Sequence, residues 1–354
     1  MAVKNDISPN RALSFAITWL RFPLIFMIIM LHCYSTVQLT GNHEGYFQWI
    51  YPFALWLGET GVPGFFFISG YLFYSSAKSY KQKLNNRVHT LLIPYLLWNL
   101  LLVLLYTTAY ALGFPQDING KNLENYNYID YLRLFWDRGS YDNGNFVPIL
   151  CPLWYIRNLL IMAILSPIFY YLIKYIKVLF LVVILIWWMT TYHNAFIPQT
   201  VFFFCLGAYF SILKSNPLYI FYKRKRILLS LFIIFGLCDI ITHTICSTPI
   251  NLQIHRFALI TNIPAFFLLA DYCSRHGITS KLLPNAAFIV FCVHYPIVVL
   301  LRKICITTFS NASVFIQILL YFVCVIIATA LSIAIYLTLN RFTPRLKNIL
   351  SGNR

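Results

Sequence analysis

The sequence predicts an all-α protein: a polytopic membrane helical bundle of about ten transmembrane helices, with both termini in the cytoplasm. Three observations predict this class. Of the 354 residues, 60% are hydrophobic and only 10% are charged, whereas about a quarter of the residues of a soluble domain are charged. Apolar runs of about 20 residues recur along the whole chain. Basic residues cluster in every second connection between these runs.

The apolar runs are expected to be helices, because lipid offers no partners to backbone N–H and C=O groups and a helix satisfies them within its own segment. A β-barrel would instead show alternating segments of about ten residues. The spans are expected at 15–37, 50–75, 88–112, 151–173, 178–193, 197–213, 227–246, 255–273, 285–305 and 313–338, the fifth being short. Because no Gly/Ser-rich or Pro-rich linker interrupts them, residues 1–354 are predicted to form one membrane domain.

The net charge of +17 raises the possibility of nucleic-acid binding, but its distribution argues against such a partner. The basic residues of alternate connections are Lys78, Lys81, Lys83 and Arg87; Lys174 and Lys177; Lys214, Lys223, Arg224, Lys225 and Arg226; Arg275 and Lys281; and Arg341, Arg345 and Lys347. Loops rich in Lys and Arg stay in the cytoplasm. The charge therefore predicts orientation in a bilayer. Nine cysteines show neither CxxC nor metal-ligand spacing, and no metal site is expected.

The connection 113–150 is the only sizeable aqueous segment and is rich in Asn, Asp and Tyr. Two interpretations remain open at this stage. It is either a solvated connector or an outer lid whose aromatic and amide groups suit sugars.

The first span, WLRFPLIFMIIMLHCY, places Arg21 and His32 eleven residues apart. Eleven residues are roughly three helical turns, so both side chains share one face about 16 Å apart along the axis. Ionisable groups inside a membrane are functional candidates by default. A cation nearer the cytoplasm and a titratable group above it suit an anionic ligand that enters from inside. The alternative is that Arg21 reaches the headgroups and His32 is an ordinary bundle histidine.

The second span contains GVPGFFFISGYLF at 61–73, in which glycines permit close helix approach and Ser69 offers a hydroxyl. Glu59 lies just before it and is either an interfacial carboxylate or a partner that orients His32.

In the fourth span, Arg157 needs an acidic or anionic partner. Asp239 and His243 share a face of the seventh span and suggest an ion pair or a helix-stabilising contact.

These residues and their order resemble the acyltransferase-3 family of bacterial membrane acyltransferases, especially its stand-alone members that act on surface polysaccharides. Arg21 and His32 match the family's Arg-x10-His signature, and GVPGFFFISGYLF is similar to its FF-x-x-SG-[FY] segment. LWYIRNLL resembles its LWF-type motif, and VHYP, which contains His294, resembles its late histidine segment. The resemblance covers nearly the whole chain.

One position departs from the family pattern of Arg-x-x-Arg before the third helix. Arg87 matches the first arginine of RVHTLLIPY, whereas Thr90 stands at the second, so Lys83 or His89 is the candidate substitute cation. Because Thr90 carries no charge, the contacts to the acyl-CoA phosphates that the family pattern implies would need one of these other cations.

The resemblance implies an O-acetyltransferase of the bacterial inner (cytoplasmic) membrane, with acetyl-CoA as donor and a hydroxyl of an extracytoplasmic or lipid-linked glycan as acceptor. It implies His32 as general base, with Glu59, Ser69, Arg157 or His294 assisting, and Arg21, Arg87, Arg157 and Lys83 as the cations that hold the donor. Acetyl versus succinyl transfer, and direct transfer versus an acyl-enzyme, remain open. The competing functions are a glycan or lipid-linked sugar transporter and a structural subunit of a polysaccharide-synthesis complex.

Overall fold

The computed structural model describes residues 9–34, 50–118, 120–139, 145–192, 196–309 and 312–353. These parts form an almost entirely helical bundle. The helices are α1 (Pro9–Cys33), α2 (Tyr51–Gly58), α3 (Gly61–Ser75), α4 (Tyr80–Arg87), α5 (Ile93–Ala111), α6 (Tyr128–Arg133), α7 (Trp154–Ile176), α8 (Val178–Thr190), α9 (Phe196–Ile212), α10 (Pro217–Lys223), α11 (Lys225–Ile245), α12 (Thr248–Arg275), α13 (Leu282–Thr308), α14 (Val314–Phe342) and α15 (Pro344–Ser351). A single π-helical turn, Val88–Leu92, joins α4 to α5.

The expected all-α membrane architecture is confirmed. Within the described residues, seven helices are long and apolar enough to cross a bilayer, or eight if α9 and α10, which meet at 95°, form one span. The run at 50–75 is divided at Glu59–Thr60 into α2 and α3, and the run at 178–193 forms α8, which has only 13 residues. A total of about ten crossings and the cytoplasmic location of both ends stay predictions.

The connection between α5 and α7 is folded where the structure describes it. Strands β1 (Asp117–Ile118) and β2 (Lys121–Asn122) form an antiparallel hairpin that precedes α6. A small apolar cluster, consisting of Val103, Ile118, Leu123, Leu134 and Ile149, fixes this hairpin and α6 on the end of α5. We call residues 113–139 and 145–150 the outer segment. It lies at the bundle end opposite the basic connections, which we call the basic end.

Glycines allow α3 to lie unusually close to its neighbours. A Cβ atom added at Gly207 of α9 would overlap the carbonyl oxygen of Phe67, and one added at Gly70 of α3 would overlap that of Phe204. On the other side of α3, a Cβ atom at Gly61 would collide with the carbonyl oxygen of Leu24 in α1. The backbone of α3 is therefore enclosed between α1 and α9 at contacts that only glycine permits.

We predict that Gly207→Ala destabilises the bundle by about 1–3 kcal/mol, because the added methyl group meets backbone that cannot rotate away. Thermal unfolding of the detergent-solubilised protein measures this as a lower Tm. Ala330→Val, which adds more carbon on an exposed face of α14, is the control and is expected to leave the Tm unchanged. Equal Tm values for Gly207→Ala and the control would contradict the proposed close packing.

Candidate active site

A cavity of about 320 Å³ opens among α1, α3, α7 and α13, close to the junction of α4 with the π-helical turn. Its walls are mainly apolar. The polar side chains in them are Arg21, Ser69, Arg87, Tyr155 and Asn285. Cavities of a few hundred cubic ångströms with few polar groups are typical of small-molecule sites. We call this space the basic-end cavity.

Two of the predicted donor-binding cations, Arg21 and Arg87, line the basic-end cavity. Lys83 lies one turn before Arg87 on α4, and both cations face the ring of Phe73, with Lys83 Nζ at 5.1 Å and Arg87 Cζ at 5.7 Å from its centroid. Aromatic faces attract cations at such distances. The structure thus brings Arg21, Lys83 and Arg87 to one region of the protein.

The position that departs from the Arg-x-x-Arg pattern has a local structural role. The hydroxyl of Thr90 donates to the Asn86 carbonyl oxygen at 2.8 Å, and the chain turn at Gly352 lies directly against the Thr90 backbone. His89 is exposed and is not among the cavity residues. Lys83 does not line the cavity either, but it shares the ring of Phe73 with Arg87 and is therefore the substitute cation that the structure favours.

Ser69 and Tyr155 meet across the basic-end cavity. The Ser69 Oγ and Tyr155 Oη atoms are 3.3 Å apart, so one hydroxyl donates to the other. Phe65 and Phe66 pack against the ring of Tyr155 from α3. The predicted Ser69 is thus a wall residue of the cavity and not part of the histidine cluster described next.

His32 lies in the last turn of α1 and packs against two side chains of α13. Its ring centroid is 5.4 Å from that of His294 and 5.1 Å from that of Tyr295. The sequence placed His32 and His294 in separate spans, and the fold brings them into contact. We call His32, His294 and Tyr295 the histidine cluster.

The geometry of His294 defines which of its ring nitrogens carries a proton. Nδ1 is 3.1 Å from the Val290 carbonyl oxygen, which only accepts hydrogen bonds, so Nδ1 is the donor. In a neutral ring Nε2 then bears a lone pair. This Nε2 atom is buried and has no hydrogen-bond partner among the described residues. An unused acceptor therefore lies beside His32.

Phe291 lies between the basic-end cavity and the histidine cluster. It lines the cavity, and its ring is 5.9 Å from that of Tyr155 and 6.0 Å from that of His294. On α1, Ile25 also lines the cavity, and His32 follows two turns later, about 10 Å along the axis. The basic-end cavity and the histidine cluster are therefore neighbours, and the Phe291 ring lies between them.

Glu59 belongs to a buried group of charges between the α2–α3 break, α11 and α12. Its Oε2 atom is 3.0 Å from His255 Nε2, and His255 Nδ1 is 2.7 Å from Asp239 Oδ2. Asn251 binds both Asp239 and His243. The spacing in the sequence had suggested His243 as the partner of Asp239. In the structure the partner is His255 on the adjacent helix. His255 was not predicted, because its two partners lie on other helices or at the α2–α3 break.

Arg157, also predicted to hold the donor, is not among the cavity residues and is engaged with the outer segment. Its NH1 group donates to the Trp136 carbonyl oxygen at 2.9 Å, its Nε and NH2 groups donate to Asn158, and its Cζ atom lies 4.8 Å from the centre of the Trp136 ring. The Trp136 carbonyl oxygen and the Asn158 side-chain oxygen thus provide part of the hydrogen-bond acceptors that an acidic or anionic partner was expected to provide. The structure therefore shows Arg157 fixing the outer segment to α7.

Arg138 of the outer segment was not predicted, since no motif or periodicity marks it in the sequence. It follows α6, and its Nε atom is buried and has no hydrogen-bond partner among the described residues.

Comparison with known proteins agrees with this geometry. The model of the acyltransferase-3 domain family, described as an acyltransferase domain, matches residues 15–337. A curated relative is the succinoglycan biosynthesis protein ExoH of Rhizobium meliloti (strain 1021), which is 25% identical over 359 residues, covering 96% of this chain and 92% of the relative. No solved structure matches the chain significantly. The family match extends over nearly all of the helical bundle, and the chain therefore belongs to the acyltransferase-3 family of membrane acyltransferases.

Proposed function

We propose that the protein is an O-acyltransferase of the bacterial inner membrane that moves an acyl group, most simply acetyl, from cytoplasmic acyl-CoA to a hydroxyl of an extracytoplasmic or lipid-linked glycan. The observation that carries this proposal is the proximity of two sites. The cation-lined basic-end cavity adjoins, through Phe291, a pair of histidines nearer the opposite end of the bundle. Family membership supplies the class of reaction.

The donor fits the basic-end cavity by charge and shape. CoA combines anionic phosphates with a slender pantetheine arm that ends in the thioester. Arg87 and Lys83 at the α4 end suit the phosphates, because cations at the mouth of a cleft attract anionic substrates. The mainly apolar wall beyond Arg21 suits the arm, with the Ser69–Tyr155 pair and Asn285 available to its amide groups.

The reaction needs a base, because a sugar hydroxyl is neutral at pH 7. His32 removes the hydroxyl proton as the oxygen attacks the thioester carbonyl carbon. The tetrahedral intermediate then collapses, the carbon–sulfur bond breaks, and CoA leaves as a thiolate that takes up a proton. The products are a glycan ester and free CoA, and no metal is required for this balance.

The acceptor is inferred from the relative. A protein with a role in succinoglycan biosynthesis aligns with 96% of this chain, which supports a polysaccharide or its lipid-linked precursor as acceptor. The same likeness makes succinyl-CoA the donor to test beside acetyl-CoA. Nucleic acid is not a partner in this proposal, since the basic residues are placed in the alternate connections of a membrane protein.

Replacing His32 tests the proposed base. We expect His32→Ala to lower kcat for acyl transfer by about 10²–10⁴-fold, because a positioned base contributes that much. The measurement uses purified protein in proteoliposomes with radiolabelled acetyl-CoA and the host glycan. His276→Ala is the matched control, because His276 is exposed and bonds the Tyr272 carbonyl of its own helix. Full activity of His32→Ala would exclude His32 as the base.

Replacing the cavity arginines tests the donor site. We expect Arg21→Ala and Arg87→Ala each to raise the KM for acetyl-CoA about 10- to 100-fold, the effect of losing a hydrogen bond to a charged group. S-acetylpantetheine lacks the nucleotide phosphates that Arg87 is proposed to bind. Its KM should therefore change less in Arg87→Ala than the KM for acetyl-CoA does. Arg341→Ala, an exposed cation at the same end, should leave both KM values unchanged. An unchanged KM for acetyl-CoA in both cavity variants would remove these residues from the donor site.

A further inference from the structure

A π-helical turn forms part of the wall of the basic-end cavity. The backbone bonds of Val88–Leu92 span one residue more than those of an α-helix, as in the bond from Ile93 N–H to the Val88 carbonyl oxygen. Arg87, just before the turn, and Leu91 within it both line the cavity. Single π-helical turns are rare and occur frequently at functional sites.

The extra residue of this turn sets the direction in which Arg87 points. Successive residues of an α-helix are rotated by about 100° around its axis. If the turn relaxed to a regular α-helix, α4 would rotate by about that angle relative to α5. Arg87 would then leave the cavity wall and the ring of Phe73, whose centroid lies 5.7 Å from the Arg87 Cζ atom. A donor site that uses Arg87 therefore requires the turn to be held in place.

The end of α15 packs directly against the backbone of the turn. Gly352 is buried at a φ of 66° and ends α15 with two bonds: its N–H donates to the Ile349 carbonyl oxygen at 3.2 Å, and Asn353 N–H donates to that of Asn348 at 2.7 Å. A Cβ atom added at Gly352 would overlap the carbonyl oxygen of Thr90. The position thus requires glycine both for its left-handed conformation and for its approach to the turn.

A side chain of α5 binds the same end of α15. Trp98 Nε1 donates to the Leu350 carbonyl oxygen at 3.0 Å, and the side chains of Leu350 and Ser351 are buried. We call Leu350, Ser351 and Gly352 the α15 cap. The α15 cap therefore contacts both the π-helical turn and the regular helix that follows it.

Thr90 connects the α15 cap to the cavity residues. Its hydroxyl donates to the carbonyl oxygen of Asn86 at 2.8 Å, and Asn86 directly precedes Arg87. Thr90 is itself followed directly by Leu91, which lines the cavity. The backbone that the α15 cap touches is thus adjacent to the part of the helix that faces the donor site.

We propose that the α15 cap holds the π-helical turn in its register and so keeps Arg87 in the donor site, with Gly352 and Trp98 as positioning residues. This inference rests on the proposed function, in which Arg87 binds the acyl-CoA phosphates. Gly352 and Trp98 are not among the described residues that line the cavity, and they act on the donor only through the turn.

The first test measures the Kd of acetyl-CoA for the full-length protein in proteoliposomes. We expect Gly352→Ala to raise this Kd about tenfold, which is part of the loss caused by removing a hydrogen bond to a charged group. The Kd of S-acetylpantetheine, which lacks the nucleotide phosphates, should change less. Trp98→Phe, which keeps a ring but loses the donor to Leu350, should act in the same direction with a smaller factor.

Gly277→Ala is the matched control for Gly352→Ala. Gly277 also has a positive φ, 73°, but a Cβ atom added there meets nothing within 4 Å. The two variants therefore share the backbone strain of alanine at a positive φ and differ in the collision with the π-helical turn. Equal Kd values for acetyl-CoA in both variants would contradict the inference.

Combining Gly352→Ala with Arg87→Ala tests whether the α15 cap acts through Arg87. We expect the double variant to bind acetyl-CoA as Arg87→Ala alone does, because the position of an absent side chain has no effect. Factors that multiply in the double variant would show that Gly352 acts by another route and would overturn its assignment as a positioning residue for Arg87.

Hydrogen exchange tests the hold on the turn separately from donor binding. The amides of 88–93 should exchange faster in Gly352→Ala than in wild type and Gly277→Ala, because the turn opens more often. Unchanged exchange with normal acetyl-CoA binding by wild type would overturn this inference alone. A wild-type protein that binds no acetyl-CoA would overturn the proposed function and this inference with it. Should Gly352→Ala not fold, Trp98→Phe carries both measurements.

Discussion

The close approach of α3 to both α1 and α9 is the contact on which the rest of the bundle depends. Gly70 and Gly207 let the backbones of α3 and α9 touch, and Gly61 lets α3 touch the backbone of α1. Helices in lipid gain little from hydrophobic transfer, so contacts of this kind supply much of their association. The basic-end cavity is bounded by the faces of α1 and α3 that this packing leaves open, which is why Arg21 and Ser69 line the same space.

The costly polar groups of the membrane interior serve two purposes in this protein. Arg157 and Arg256 satisfy carbonyl groups: Arg256 donates to the oxygens of Met189 and Thr191 at 2.7 Å and so caps the short helix α8. The Glu59–His255–Asp239 group likewise joins the α2–α3 break to α11 and α12. Arg21 and Arg87 line a cavity instead. A charge within a span thus indicates a role in a site only when the fold leaves it facing open space.

The sequence predicted the features that depend on nearby residues. The all-α class follows from composition, and the placement of Arg21 and His32 at different depths of one helix follows from helical geometry alone. Contacts between distant residues were not predictable: Glu59 and His255 are 196 residues apart, and His32 of α1 meets His294 of α13 only in the folded bundle. The division of the second span at Glu59–Thr60 was also missed, since Thr60 is stabilised there by Asn262 of α12.

Helices α1 and α13 together link the two parts of the candidate active site. Both helices line the basic-end cavity, through Arg21 and Ile25 on α1 and through Phe288 and Phe291 on α13. The same two helices then supply His32 and His294 about two turns and one turn further on. In the proposed reaction, the separation between the donor site and the base is therefore set by the stretches of α1 and α13 between these residues, and the pantetheine arm of the donor would span it.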